Sequence, residues 1–176
     1  MTNFRSLSFR YGVILGGVGV VWALILFIMD MHDSEDWKLQ IVTAIISISV
    51  IVFGLLEFRK LNGSLSIKQS VKIAIIISLV NFVIYIIYYF ILINYMDPGM
   101  VQRQIDKVMN TYIENNPETS DQILKQIRSG QEMGRKPLIF VGAGLLMSVI
   151  SGLIFGIILG LFLRRKELSP ENEDDE

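Results

Sequence analysis

Four long apolar runs, none of which contains a charged residue, set the pattern of the chain. They cover residues 11–29, 39–56, 73–96 and 138–163. A bilayer hydrocarbon core about 30 Å thick is crossed by about 20 helical residues, so each run is long enough to span it. Because backbone N–H and C=O groups in lipid must pair within their own segment, we predict that each run forms one transmembrane helix.

The connection between the third and fourth runs, residues 97–137, is too long for a simple turn and has helical periodicity. Asp97-Pro98 is typical of a helix N-cap followed by proline at the first helical position. Two stretches of apolar residues at helical spacing follow: Val101, Ile105, Val108, Met109 and Tyr112, and then Ile123, Leu124 and Ile127. We predict a hairpin of two short amphipathic helices that packs on itself or on the membrane surface, or else forms a docking groove for a partner or ligand.

Charged residues in the other connections indicate which ends of the helices face the cytoplasm. Lys and Arg predominate in three segments: Arg5 and Arg10 before the first run, Arg59, Lys60, Lys68 and Lys72 after the second, and Arg164, Arg165 and Lys166 after the fourth. The connection after the first run is acidic, with Asp30, Asp33, Glu35 and Asp36 against Lys38. Since basic connections stay on the cytoplasmic side, we expect both termini inside and the helical hairpin outside an inner (plasma) membrane.

Together these patterns predict an all-α membrane protein, a four-transmembrane-helix bundle with an extracytoplasmic helical hairpin between the third and fourth spans. Residues 1–168 form a single integral membrane domain in this interpretation. Residues 169–176 are acidic and contain no large apolar side chain, so we expect a disordered tail.

Small residues repeat along one face of the fourth run, at Gly144, Ser148, Gly152, Gly156 and Gly160. Small side chains let the backbones of membrane helices approach closely, so this is a candidate helix-packing face. Packing within the bundle and contact between copies of the chain are both consistent with it. The fourth span has the longest such face, and we therefore expect it to be the one that mediates any homo-oligomer.

Polar residues follow one stripe of the third run, at Ser78, Asn81, Tyr85 and Tyr88. A polar group inside a membrane is costly unless it is paired, and such groups often mark functional sites. Asn81 is the most polar residue within any run, and we expect Thr43, Ser47 or Tyr85 to be its partner. The stripe either supplies an interhelical hydrogen bond or lines a ligand or ion path.

Glu57, Arg59 and Lys72 flank the second and third runs at the predicted cytoplasmic rim. Carboxylates at such a position are commonly held in ion pairs with nearby basic side chains. We expect Glu57 to pair with Lys72 or Arg59, in preference to a proton-handling role.

Composition excludes several classes of function. The chain has no cysteine, so disulfide frameworks, thiolate nucleophiles and cysteine-based metal sites are excluded. Its one histidine, His32, lies in an acidic stretch, where we expect a solvated loop residue rather than a metal ligand. The net charge of -1 gives no basic field for nucleic acid. No catalytic signature occurs, and we predict neither an enzyme nor a cofactor nor a metal site.

Four local motifs complete the pattern: Arg10-Tyr11-Gly12 entering a glycine-rich first span, Phe53-Gly54 followed by Arg59, the turn Asn62-Gly63-Ser64-Leu65-Ser66-Ile67, and a long outer helical loop before a closing span that ends in Arg164-Arg165-Lys166. In this order they resemble the DUF4199 family, a group of uncharacterised small membrane proteins. Ile67 stands where that family usually has an aromatic residue, and Ser70 where it usually has alanine. The resemblance implies the four-span topology and a bacterial host, typically one of the Bacteroidota, and it implies no chemistry.

From the sequence we predict a non-enzymatic inner-membrane protein that acts as an accessory or interaction protein. Its expected partners are the lipid bilayer and either a second copy of the chain or another membrane protein. The alternative is a subunit of a small transporter or channel that uses the polar stripe of the third span. A dry, filled bundle interior favours the first function, and a polar cavity reaching Asn81 favours the second.

Overall fold

The structure, a computed structural model, describes residues 3–32, 34, 36–134 and 136–163, and its architecture is all-α, as predicted. The helices are α1 (Phe4–Ile28), α2 (Trp37–Asn62), α3 (Ile67–Ile91), which continues as a π-helical turn (Leu92–Met96), α4 (Met100–Asn115), α5 (Asp121–Gly134) and α6 (Pro137–Leu163). The predicted acidic tail and the Arg164-Arg165-Lys166 flank lie outside the described residues, as do Asp33 and Glu35.

Local sequence signals place the helix starts. The side chains of Asn3 and Asp36 accept hydrogen bonds from backbone N–H groups two residues further on, at 3.1 and 2.9 Å, and so cap α1 and α2. Ser66 and Gln69 form a reciprocal capping box at the start of α3. Gly63 ends α2 with a φ of 75°, a left-handed conformation that glycine adopts without strain.

Four of these helices, α1, α2, α6 and α3 with its π-helical turn, are long and apolar enough to span a membrane. Their contacts show that α1 and α3 run in one direction, and α2 and α6 in the other. Helix α3 is central, since it packs along α1 on one side and α6 on the other. We call the end that holds the start of α1, the α2–α3 turn and the end of α6 the terminal end. The opposite end, with the α1–α2 connection and the start of α4, is the distal end.

The terminal half of the bundle is filled by a continuous apolar core. Buried residues of three helices and of the α2–α3 turn form it: Leu7, Leu15, Ile51, Leu55, Phe58, Leu65, Ile73, Ala74 and Ile77. Phe155, Leu159 and Leu163 of α6 pack against this cluster. Because lipid is as apolar as these side chains, close van der Waals packing rather than exclusion from water holds this half together.

The small-residue face of α6 packs on α3. A Cβ added at Gly152 would lie 2.7 Å from the Ile75 Cα, and one at Gly156 would lie 2.5 Å from the Val71 Cα, so the two backbones touch there. Gly144 faces the Phe82 ring in the same way. Packing within the bundle, one of the two uses that we considered for this face, is therefore what brings α6 onto α3, because glycine lets the two backbones approach so closely.

Helix α2 packs on the core only in its terminal half. Leu55 and Phe58 are buried there, whereas Ile41 and Ile45, nearer the distal end, are 46% and 58% exposed. The distal part of α2 thus lies apart from α3, which leaves a space between α1, α2 and α3.

Helices α4 and α5 are the two short amphipathic helices that the sequence predicts between the third and fourth spans, and they contact one another. Helix α4 is anchored by Met100 and Ile105, which are 7% and 3% exposed, while α5 buries none of its residues. The predicted cap is wrong in detail, because α4 begins after Gly99 and not at Asp97. The Asp97 carboxylate is engaged by other side chains instead.

Candidate binding cavity

A cavity of about 260 Å³ lies between the distal halves of α1, α2 and α3. Met100, at the start of α4, and His32, in the α1–α2 connection, line its distal end. At its other end Leu15 belongs both to the cavity wall and to the apolar core, so the cavity stops at the filled terminal half. Gly19 widens it, since an added Cβ there would meet only the Asn81 Oδ1, at 3.8 Å.

Asn81 lies at the cavity wall without the partners that we expected. Among the described residues its side chain forms no hydrogen bond with Thr43, Ser47 or Tyr85. The Thr43 hydroxyl instead donates to the carbonyl four residues earlier, at 2.9 Å, and accepts from the Trp22 Nε1 at 3.0 Å. The Ser47 hydroxyl likewise donates to the Thr43 carbonyl at 2.9 Å. Hydroxyl groups in helices are often satisfied by the preceding turn in this way, which leaves the Asn81 amide available at the cavity.

Two buried polar atoms at the cavity have no hydrogen-bond partner in the described part of the chain: the Tyr88 hydroxyl and the His32 Nδ1. Tyr88 is 8% exposed and the His32 side chain 7%. A buried donor or acceptor left unpaired costs about 1–3 kcal/mol, so folded proteins nearly always satisfy such groups with protein, water or ligand. Both residues line the cavity, where a bound molecule could supply the missing hydrogen bonds.

The Asp97 carboxylate joins three segments at the distal end of the cavity. Its Oδ2 lies 2.7 Å from the His32 Nε2, and both of its oxygens accept from the Arg103 guanidinium, one of them at 3.0 Å. These hydrogen bonds lower the pKa of Asp97 from 3.8 to about 2. The bond from Arg103 has the larger effect, and the bond from His32 the next largest. The carboxylate is therefore ionised at neutral pH. The expectation of a solvated His32 is wrong, because this ionised acceptor and the Phe27 ring, 5.0 Å away, hold the imidazole inside.

The π-helical turn at the end of α3 explains how Asp97 reaches this position. The backbone N–H of Asp97 donates to the Leu92 carbonyl at 2.7 Å, five residues back, so the chain is wound more widely here than in an α-helix. Single π-helical turns are uncommon and occur often at functional sites. Here the wider turn is followed directly by Asp97, the residue that bonds His32, and Leu92, at the start of the turn, lines the cavity.

Three of the four residues of the predicted polar stripe line the cavity, namely Asn81, Tyr85 and Tyr88. Ser78 is buried nearer the terminal end and is not part of the wall. Tyr85 also stacks with Tyr89, with ring centroids 6.3 Å apart, and is 43% exposed. The stripe thus has two roles, because Ser78 is buried in the packed part of the bundle and the other three residues line the cavity.

At the terminal end, Glu57 has partners that differ from those expected. It accepts hydrogen bonds from the Tyr11 hydroxyl at 2.5 Å and from the Arg10 guanidinium at 2.5 Å. Arg59 instead donates to the Leu163 carbonyl at the end of α6, at 3.2 Å, and Lys72 is exposed. The pairing was missed because Arg10 and Glu57 are far apart in sequence and meet only when α1 and α2 pack antiparallel.

The chemistry of the cavity favours binding an uncharged molecule. None of its lining residues is an Asp, Glu, Lys or Arg, and much of the wall is apolar, including Ala23, Leu26 and Ile46. Its polar groups are hydroxyl, amide, indole and imidazole groups. Within the described ranges no three His, Asp or Glu side chains lie close enough together to hold a metal ion.

Fold and cavity together define a multi-pass helical membrane protein with a ligand-sized space in one half of its bundle. A family model described as "Protein of unknown function (DUF4199)" matches residues 10–165, which is most of the chain. The chain therefore belongs to the DUF4199 family, as its motifs indicated. No curated protein and no solved structure gives a significant match to it.

Proposed function

We propose that this protein is a non-enzymatic membrane protein that binds a small uncharged molecule in the distal cavity and acts as an accessory protein to a membrane partner. The observation that supports this function best is the pair of buried, unpartnered polar atoms, the Tyr88 hydroxyl and the His32 Nδ1, in a largely apolar cavity. A few convergent polar groups in an apolar concave site are typical of small-molecule binding sites.

The proposed orientation places the distal end, and so the cavity, in the outer half of an inner membrane. Lys and Arg are concentrated in the helix ends that flank the α2–α3 turn at the terminal end, as in Arg59, Lys60 and Lys68. The α1–α2 connection at the distal end is acidic. The positive-inside rule then assigns the terminal end to the cytoplasm.

An enzymatic function is not proposed, because the polar groups of the cavity form no acid–base or nucleophile–base pair among themselves. Tyr88 and Asn81 have no titratable neighbour bonded to them within the described residues. The one titratable side chain of the wall with a bonded partner, His32, is held by an Asp97 that is already bound to Arg103. Such an arrangement positions a hydrogen-bonding group more readily than it transfers protons.

A transporter or channel subunit is the second candidate, and the cavity that reaches Asn81 favours it. A transport path must continue to the other side of the membrane. Leu15 and its neighbours in the apolar core, however, close the terminal half of the bundle. Transport would therefore need a second conformation in which that core separates. The binding function needs only the conformation described here.

Native mass spectrometry of the protein purified from its host tests the proposal. We expect a small non-lipid molecule to co-purify with the wild-type protein and to stay bound to it in the mass spectrometer. Gly19→Leu should abolish its retention, because the leucine side chain would fill the cavity next to Asn81. Gly17→Leu is the matched control, since a side chain at Gly17 enters open space. Equal retention by both variants, or no bound molecule with either the wild type or the control, would contradict the proposed function.

A further inference from the structure

We infer that the ligand of the distal cavity is a neutral hydroxyl- or N–H-bearing amphiphile of phenol-like size, and that His32 accepts its hydrogen bond. This inference rests on the proposed function and adds the chemical class of the molecule. It follows from the tautomer of His32, from the absence of charge in the wall and from the volume of the cavity.

The tautomer of His32 is fixed by its neighbour. An ionised carboxylate is only an acceptor, so Asp97, 2.7 Å from the His32 Nε2, requires a proton on that nitrogen. In a neutral imidazole the other nitrogen then has a lone pair and no proton. In that neutral form the unpartnered Nδ1 of His32 is an acceptor, and a ligand bound beside it must donate to it. Arg103 holds the carboxylate in place by donating to both of its oxygens.

Tyr88 and Asn81 complete the site, and neither of them determines whether the ligand must donate or accept a hydrogen bond. A phenol hydroxyl can donate or accept, and a carboxamide does both. His32 alone requires a donor on the ligand. A hydroxyl group meets all of these demands at once, because it offers one proton and accepts through its oxygen.

Charge and size narrow the class further. No lining residue carries a formal charge unless His32 is protonated, so an ion in this low-dielectric space would be buried without a partner. An apolar protein cavity of about 150 Å³ holds benzene, which has six non-hydrogen atoms. By the same ratio a cavity of about 260 Å³ holds about ten. Trp22, Tyr85 and Tyr88 line it with aromatic surface, which suits a ring.

Fluorescence quenching by two matched probes tests the inference. The chain has two tryptophans, so Trp37→Phe leaves Trp22, in the cavity wall, as the single reporter. The probes are 4-bromophenol, which can donate a hydrogen bond, and 4-bromoanisole, in which a methyl group replaces that proton. Titration of the protein in lipid nanodiscs at neutral pH, where a phenol is uncharged, separates saturable quenching from the linear part due to partition into lipid.

We expect saturable quenching by 4-bromophenol with an apparent Kd at least about tenfold below that of 4-bromoanisole. Gly19→Leu should remove the saturable part for both probes, and Gly17→Leu should leave it unchanged. In Asp97→Asn the carboxamide can donate to the His32 Nε2, which permits a proton on Nδ1. The preference for 4-bromophenol should then shrink to about threefold or less, because a donor at Nδ1 suits the anisole oxygen.

The outcomes separate the inference from the function on which it rests. Saturable binding of both probes with equal Kd, abolished by Gly19→Leu, would support the cavity and overturn the donor requirement. A preference that Asp97→Asn leaves unchanged would overturn the role given to His32. Quenching without a saturable part, or with one that Gly19→Leu does not affect, would overturn both the inference and the proposed binding function.

Discussion

A single carboxylate, that of Asp97, connects residues that are distant in sequence. His32 lies 65 positions before it and Arg103 six positions after it, and both donate to its oxygens. Hydrogen bonds to an ionised acceptor are about twice as strong as those between neutral groups. We therefore expect this one side chain to hold the α1–α2 connection against the start of α4.

The pH dependence of stability should reveal this contact. The folded-state pKa of Asp97, about 2, is below its ordinary value of 3.8, so its stabilisation is complete above about pH 4 and is lost as the pH falls towards 2. Asp97→Asn should lower stability by about 1–2 kcal/mol at pH 7 and by less than about 0.5 kcal/mol at pH 2. Thermal unfolding in detergent across this range measures it.

Asp106→Asn is the control for that measurement, because Asp106 lies nearby on α4 and is exposed, with its carboxylate 4.0 Å from the Arg128 guanidinium. An exposed ion pair of this kind contributes about 0–1 kcal/mol. If the two variants melted alike at every pH, the contact of Asp97 with His32 and Arg103 would not be stabilising.

At the scale of elements, the glycines of α6 and of α1 determine how closely helices approach α3. Gly12 and Gly16 of α1 face Val80 and Ile84, and an added Cβ would lie 2.6 and 2.5 Å from their side chains. On the other side of α3, Gly152 and Gly156 of α6 meet backbone atoms, which cannot turn away as a side chain can. The α3–α6 contact is therefore the less tolerant of the two.

Gly156→Ala should destabilise the protein by about 1–3 kcal/mol, since its Cβ would lie 2.5 Å from the Val71 Cα and the helices would have to separate. Gly142→Ala, on the same helix, meets nothing within 4 Å. It should be neutral or slightly stabilising, because alanine favours a helix more than glycine does. Thermal unfolding of both variants in one detergent makes the comparison. A neutral Gly156→Ala would show that α3 and α6 are not in backbone contact.

At the scale of the whole molecule, the orientation in the membrane is open to direct measurement. The chain has no cysteine, so a single introduced cysteine is the only labelling site. Gln126→Cys lies on the exposed side of α5, and Lys68→Cys is exposed near the terminal end. In intact cells a membrane-impermeant maleimide should label the first variant and not the second. Labelling of Lys68→Cys alone would reverse the proposed topology and place the cavity in the inner half.

The sequence predicts the parts of this molecule that depend on local pattern. The four apolar helices, the two amphipathic helices between the third and fourth, and the close-packing role of small residues such as Gly152 all follow from spacing and composition. Contacts between distant segments do not follow in this way. The burial of His32 and the pairing of Glu57 with Arg10 depend on which helices become neighbours, and no local pattern contains that information.

The cavity itself could be anticipated only in part. The polar stripe of α3 pointed to Asn81, Tyr85 and Tyr88, which do line it. The space exists, however, because α2 contacts the core along only half of its length, and its opposite wall includes Gly19 of α1. An empty volume is a property of several surfaces at once, and a stripe on one helix describes only one of them.

The cavity also divides the bundle into a stiff half and a compressible half. A well-packed interior can lose almost no volume under pressure, whereas a void can shrink. Hydrostatic pressure destabilises folded states in proportion to the void volume that they lose. Compression of this protein should therefore be concentrated between α1, α2 and α3 near the distal end, while the apolar core at the terminal end keeps its spacing. A molecule that fills the cavity would remove this difference between the two halves.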